Sequence, residues 1–257
     1  MTHATPSSFP ADGGGLMRRS PLPDRVLRAL SPVSARYGLV LAGDHALRAH
    51  GLTGRPPGGL AFVTAGETPP PGVADGLAGV FAAEGLRASA VEVSPQLCRL
   101  VVEDATTADR CEITLTRETL REPAAACGEH GVPGLPGAAG HKVVGPADLA
   151  GLRTRDLHER GLAGDVADVA AMAEVFSFRD LERLAAAHLD GFSPRELLMR
   201  LEFVELMADE SFEAHGVDEE RIGEIRAFAR AWAEDVKLRR ADDGDADYDD
   251  PDLPEVD

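Results

Sequence analysis

Residues 39–64 read LVLAGDHALRAHGLTGRPPGGLAFVT, and this stretch decides the fold. Leu39 to Ala42 is a hydrophobic run of strand length that stops at Gly43, a residue suited to a tight turn. Ala46 to His50 predicts a short helix, and after Arg55-Pro56 a second hydrophobic run, Leu60 to Val63, predicts another strand. The order strand, turn, helix, strand aims a helix start at one end of a sheet. Small residues at such a turn let backbone N–H groups approach a phosphate. Asp44 sets a carboxylate at that place, where it weakens phosphate binding, and its expected structural role is an N-cap.

Working outward, Val26, Leu27, Leu30 and Val33 recur at helical spacing over Asp24 to Val33. A helix over about Val73–Glu84 is expected to stop at Gly85. Strands are expected at Ser89–Val93, Leu97–Glu103 and Cys111–Thr116, the last two flanking the polar turn Asp104 to Arg110 as an antiparallel hairpin. The pattern is helical almost throughout from Pro146. Ser193-Pro194-Arg195-Glu196 has the spacing of a capping box, and Ile222, Ile225, Ala229, Trp232 and Val236 form one apolar stripe. The expected organisation is a flexible leader at 1–23, an α/β domain at 24–121, a Gly/Pro/Ala-rich connector at 122–145, a helical domain at 146–240 and an acidic tail at 241–257. Met17 is an alternative start to Met1.

Composition narrows the partners. The net charge of −18 repels nucleic acid at long range, but the 241–257 segment carries nine acids and no base. Without it, 35 acids face 26 bases. That segment cannot bury enough apolar surface to offset its ordering entropy, so it is expected to be disordered. It reads as a solubilising tail or as an internal mimic of nucleic acid. No apolar run reaches membrane-spanning length, and Arg18-Arg19 has no apolar segment behind it, which leaves the cytoplasm as the expected location. Cys98, Cys111 and Cys127 lack CxxC spacing or clustered histidines and read as buried or idle thiols. G-x-G-x-x-G, Walker A, G-x-S-x-G and H-E-x-x-H sequences are absent.

The 39–64 stretch resembles motif one of the AbiEii/AbiGii-type nucleotidyltransferases, toxin components of type IV toxin–antitoxin pairs. That motif runs roughly L-x-G-G-x-A-L-x-x-H-x-x-x-R-x-x-x-D-L-D-F. Leu41, Gly43, Ala46, Leu47, His50, Arg55, Leu60 and Phe62 match it. The second glycine is Asp44, and the two metal-binding aspartates fall on Gly59 and Ala61. A later motif, K-x-x-A-L-x-x-R-x-x-x-R-D-x-x-D-L, resembles RTRDLHERGLAGDVADVAAM at Arg153–Met172. Its lysine becomes Arg153, its first arginine is Arg160, its second becomes Gly164, and Asp165 and Asp168 match. From residue pattern alone, the same stretch reads as an exposed charged helix with Arg160 pairing Asp156 or Asp165.

The resemblance implies an α+β, polymerase-beta-like nucleotidyltransferase fold, with a small mixed sheet and helices followed by an all-helical C-terminal region. It also implies transfer of NMP from NTP to RNA, with tRNA the expected acceptor, and an antitoxin encoded by a neighbouring gene. Such chemistry uses two Mg²⁺ ions to neutralise the attacking and leaving oxygens, and Mg²⁺ takes carboxylate oxygens. A D-x-D pair on a strand points both acids to one side. Gly59 and Ala61 cannot ligate metal, and the family's third acid falls on Thr114, beside Glu112. No metal ligands are therefore assigned. The expected nucleotide contacts are Gly43, Asp44, Arg48, Arg55, Arg153 and Arg160.

Three readings follow. The first is a nucleotidyltransferase-fold protein with impaired catalysis, kept as a binding or regulatory partner. The second is an active enzyme using Asp165 and Glu112, with Asp44, as relocated acids and needing NTP and Mg²⁺. The third is a nucleotide- or RNA-binding regulator without chemistry, with Arg48, Arg55, Arg153, Arg155 and Arg160 converging on one groove.

Overall fold

The computed structural model describes residues 21–52, 58–128 and 130–242. Most of the expected leader, residues 243–257 of the expected tail, and Arg55 lie outside them. Helix α1 (Leu22–Leu30) begins two residues before the expected start, with Pro at its first turn. It turns Val26, Leu27 and Leu30 into the core. A single 3₁₀ turn and helix α2 (Ser34–Tyr37) lead to the stretch quoted above.

That stretch folds as β1 (Leu39–Ala42), α3 (Gly43–Ala49) and β2 (Leu60–Thr64). Helix α3 starts at Gly43 rather than Ala46. Next come α4 (Pro70–Ala83), β3 (Leu86–Val93), β4 (Leu97–Asp104) and β5 (Arg110–Arg117). Gly85, at φ +71°, ends the α4 segment as expected. The hairpin β4–β5 is antiparallel with Leu100 opposite Ile113, so Cys98, Leu100 and Val102 lie buried on the face that α4 covers. Strand β3 begins at Leu86, three residues before the expected strand, and pairs along β4 to Leu86–Asp104.

The 122–145 segment supplies two short strands, β6 (Ala125–Ala126) and β7 (Lys142–Val143). Strand β7 pairs parallel with β1, and β6 pairs with β7. The mixed sheet therefore has seven strands in the order β3-β4-β5-β2-β1-β7-β6. Strands β2 and β5 are parallel neighbours at its centre, with Ala61 beside Thr114.

Six helices follow: α5 (Pro146–Arg160), α6 (Ala163–Met172), α7 (Phe178–Ala186), α8 (Pro194–Phe203), α9 (Asp209–Glu213) and α10 (Glu219–Asp242). Ser193 caps α8 by accepting from the Glu196 N–H at 3.3 Å, as its spacing predicts. All five residues of the α10 stripe are buried, with Trp232 stacked on Phe178. Helix α10 continues to Asp242, into the expected tail. The three cysteines are free and buried. Burial pushes Cys111 up to about 11, with the Glu112 carboxylate adding to the rise and a backbone hydrogen bond from Leu60 opposing it, so this thiol stays protonated at neutral pH. Among the described residues, no helix is long and apolar enough to cross a membrane.

His141 ties α1 to the sheet edge. It is 2% exposed, and its Nε2 lies 2.9 Å from the Leu27 carbonyl. Burial holds its imidazole below the usual histidine value of 6.5, outweighing the Leu27 hydrogen bond. The unfolded ring therefore takes up its proton at higher pH than the folded one. Stability is fully present above the unfolded value and falls as pH drops through it toward the folded value. Urea unfolding at about pH 7.5 and about pH 5.5 is expected to show a smaller acid loss in His141→Gln than in the parent protein. An equal loss in both would show that His141 does not carry this dependence.

Candidate active site

The sheet's register assembles the cleft. Side chains alternate along β5, so Glu112, Thr114 and Thr116 share the face opposite Ile113 and Leu115. On β4, Leu97 and Arg99 face the same way, and on β2 Ala61 and Val63 do. The start of α3 closes one end through Gly43 and Asp44, and α5 roofs the cleft with Arg153, Arg155, Asp156 and Arg160. The enclosed space is about 380 Å³.

Gly59, Ala61 and Thr114, the positions at which the resembled motif carries its acids, all line this cleft. The β2–β5 register places Ala61 directly beside Thr114. Position 59 is closed by geometry as well as by chemistry. A Cβ there would lie 2.5 Å from the Glu112 carbonyl oxygen, so an aspartate needs the β5 backbone to move. Gly43 is held at φ +63°, and a Cβ on it would meet the Ala61 Cβ at 2.9 Å. The turn is thus as tight as the glycine suggested.

Asp44 does not cap α3. The N-cap is Ala42, which makes no side-chain cap bond. The Asp44 carboxylate instead accepts from the Gly58 N–H at 3.1 Å and from Arg153 Nη2 at 3.0 Å. It joins the loop after α3 to α5, because a buried guanidinium is the stronger donor within reach.

Arg153 is the centre of the charge network. Its side chain is 15% exposed and also meets Asp156 at 3.4 Å and Asp168 on α6 at 3.3 Å. Burial alone would favour losing its proton, but Asp168, Asp156, Asp44 and Asp165 together hold it above the ordinary arginine value. This stretch is therefore not an exposed charged helix. Arg160 pairs both Asp156, at 3.2 Å, and Asp165. Asp165 also accepts the Leu162 N–H at 3.2 Å, which caps the start of α6. The cleft lining does not include Asp165 or Arg48. His50 reaches the Val144 carbonyl at 2.7 Å and ties α3 to the sheet edge.

Two further pairs complete the cleft. Arg99 holds Glu112 at 3.1 Å and Glu92 at 3.3 Å. Arg155 holds Glu118 at 2.8 Å. Neither Arg99 nor Glu118 stood out in the sequence, although strand alternation combined with the hairpin register sets Arg99 opposite Thr114.

The donor set does not fit a divalent cation. Each acid lining the cleft, Asp44, Glu112, Glu118 and Asp156, is paired with an arginine. Among the described residues, no group of three or more His, Cys, Asp or Glu side chains is arranged to hold a metal ion. The arrangement can offer guanidinium donors to a polar ligand that displaces a carboxylate.

No family model matches the sequence, and no curated protein matches it. Solved structures do. A Helicobacter pylori protein assigned as a nucleotidyltransferase superposes with a TM-score of 0.50 at 19% identity, over 87% of this chain and 99% of that one. The nucleotidyltransferase toxin MenT4 of Mycobacterium tuberculosis H37Rv gives a TM-score of 0.52 at 14% identity, over 86% of this chain and 91% of that one. The mixed sheet and its helices thus have the fold of these nucleotidyltransferases, as the resemblance carried by residues 39–64 implied.

Proposed function

We propose that this chain is a nucleotidyltransferase-fold protein of the AbiEii toxin type whose cleft no longer supports metal-dependent transfer, and that it acts as a binding or regulatory partner. The observation carrying this reading is the state of the carboxylates. The three acid positions are Gly59, Ala61 and Thr114, and the acids that do line the cleft are neutralised by Arg99, Arg153, Arg155 and Arg160. Two-metal catalysis needs carboxylate oxygens free to bind cations. An arginine-bound acid gives up its ion pair to do so.

The proposed roles follow from the lining. Arg153 and Arg160 are the guanidinium donors a nucleotide phosphate would meet, and Gly43 permits close backbone approach. An antitoxin from a neighbouring gene and a tRNA are the proposed partners, and the cytoplasm is the proposed location. The MenT4 likeness supports the toxin reading at the level of fold.

The test is incubation of purified protein with each α-labelled NTP, Mg²⁺ or Mn²⁺, and total tRNA. No label on RNA or protein is expected, beside a transferring homologue under the same conditions. Label that disappears in Glu112→Ala or Asp165→Ala would instead establish an active enzyme with relocated acids.

A further inference from the structure

We propose that a second groove, adjoining the cleft, binds the hydroxyl groups of a phosphorylated sugar, with His188 Nδ1 as its acceptor. The groove encloses about 660 Å³, and Gln96, Arg117, Glu118, Thr119, His188 and Asp190 line it. Glu118 lines the cleft as well, so the two spaces adjoin at this residue.

His188 is built into this groove. Its side chain is 3% exposed, and its Nε2 lies 3.0 Å from Asp148 Oδ1. Asp148 is itself buried and already accepts the backbone N–H of Arg121, at 2.9 Å, and of Glu122, at 2.8 Å. That carboxylate can only accept from the ring. In the neutral imidazole, Nε2 therefore carries the proton and Nδ1 presents the lone pair. Nδ1 has no hydrogen-bond partner among the described residues. Gly151 makes room for the ring, since a Cβ there would lie 2.6 Å from His188 Cδ2. The backbone donors already satisfy Asp148, so what the ring adds is an oriented acceptor on the groove.

The rest of the lining selects the ligand class. Asp190 is an exposed acceptor, Gln96 offers both a donor and an acceptor, and Arg117 is an exposed cation at the end of β5. Hydroxyl donors suit His188 and Asp190, and an anionic group suits Arg117. A sugar phosphate supplies both on one small molecule. This assignment does not depend on whether the neighbouring cleft transfers nucleotide.

The test is a titration of full-length, ¹⁵N-histidine-labelled protein, with the His188 ring assigned by through-bond correlation. The probes are ribose 5-phosphate, AMP and inorganic phosphate. Saturable movement of the Nδ1 resonance is expected with ribose 5-phosphate, in the millimolar range. Arg117→Gln and Asp190→Asn, both at exposed positions, are each expected to weaken it about tenfold. Tighter binding of AMP would identify nucleotides as the source, and tighter binding of ribose 5-phosphate would identify free sugar phosphates. The proposal is overturned if neither sugar phosphate moves the resonance saturably, if inorganic phosphate moves it equally, or if both variants bind as the parent does.

Discussion

Replacing Arg153 by alanine is expected to cost about 3–5 kcal/mol of stability, the range for breaking a buried ion pair by removing one partner. The guanidinium is 15% exposed and is shared among Asp44, Asp156 and Asp168, the last of which is 2% exposed. Removing the cation leaves these carboxylates repelling one another in a region that water reaches poorly. Arg153→Lys keeps one charge but loses the planar fork that meets acids on α3, α5 and α6 together, so an intermediate loss is expected. Urea unfolding at neutral pH measures both. A loss for Arg153→Ala below about 1 kcal/mol, the worth of a surface pair, would show that the network is solvated and not structural.

A comparable loss is expected at the aromatic cluster of α7 and α10. Trp232 is fully buried on α10, stacked on Phe178 at a centroid distance of 5.3 Å with Phe228 tilted beside it at 5.6 Å. Its Nε1 donates to Glu182 at 2.8 Å, and Arg239 holds the same carboxylate. Trp232→Ala opens a cavity among α7 and α10 and removes that donor, for an expected loss of about 3–5 kcal/mol. Trp232→Phe keeps most of the ring and removes the N–H, so a smaller loss of about 1–2 kcal/mol is expected. Trp232 is the chain's single tryptophan, so unfolding of the variants is followed by circular dichroism. Equal losses in the two variants would place the stabilisation in the hydrogen bond to Glu182 rather than in packing.

These two sites differ in how far the sequence announced them. The α10 stripe recurs at helical spacing over fifteen residues, and long periodic patterns translate directly into burial. The strand–turn–helix–strand stretch was equally readable, because Gly43 and two hydrophobic runs leave little choice of local structure. Strands β6 and β7 were not readable: two residues each show no alternation, and only the pairing of β7 with β1 and of β6 with β7 defines them. Asp44 looked like an N-cap since local spacing suggests one, while its real partner, Arg153, lies 109 residues away. Arg99 was missed for a related reason. One arginine in an alternating strand looks solvated until the β4–β5 register sets it beside Thr114 and Glu112. Gly43, Asp44, Arg153 and Arg160 among the motif positions meet in the cleft, whereas Asp165 and Arg48 do not line it, and the acid–arginine pairing required the tertiary structure.

The central claim is that arginines, and not divalent cations, neutralise the acids of this cleft. Calorimetric titration of the full-length protein with ATP, once with Mn²⁺ and once with EDTA, tests it most directly. The account predicts the same affinity, or the same absence of binding, in both conditions. Binding that strengthens at least about tenfold with Mn²⁺, and that loses this gain in Glu112→Ala, would contradict it and establish a working metal site.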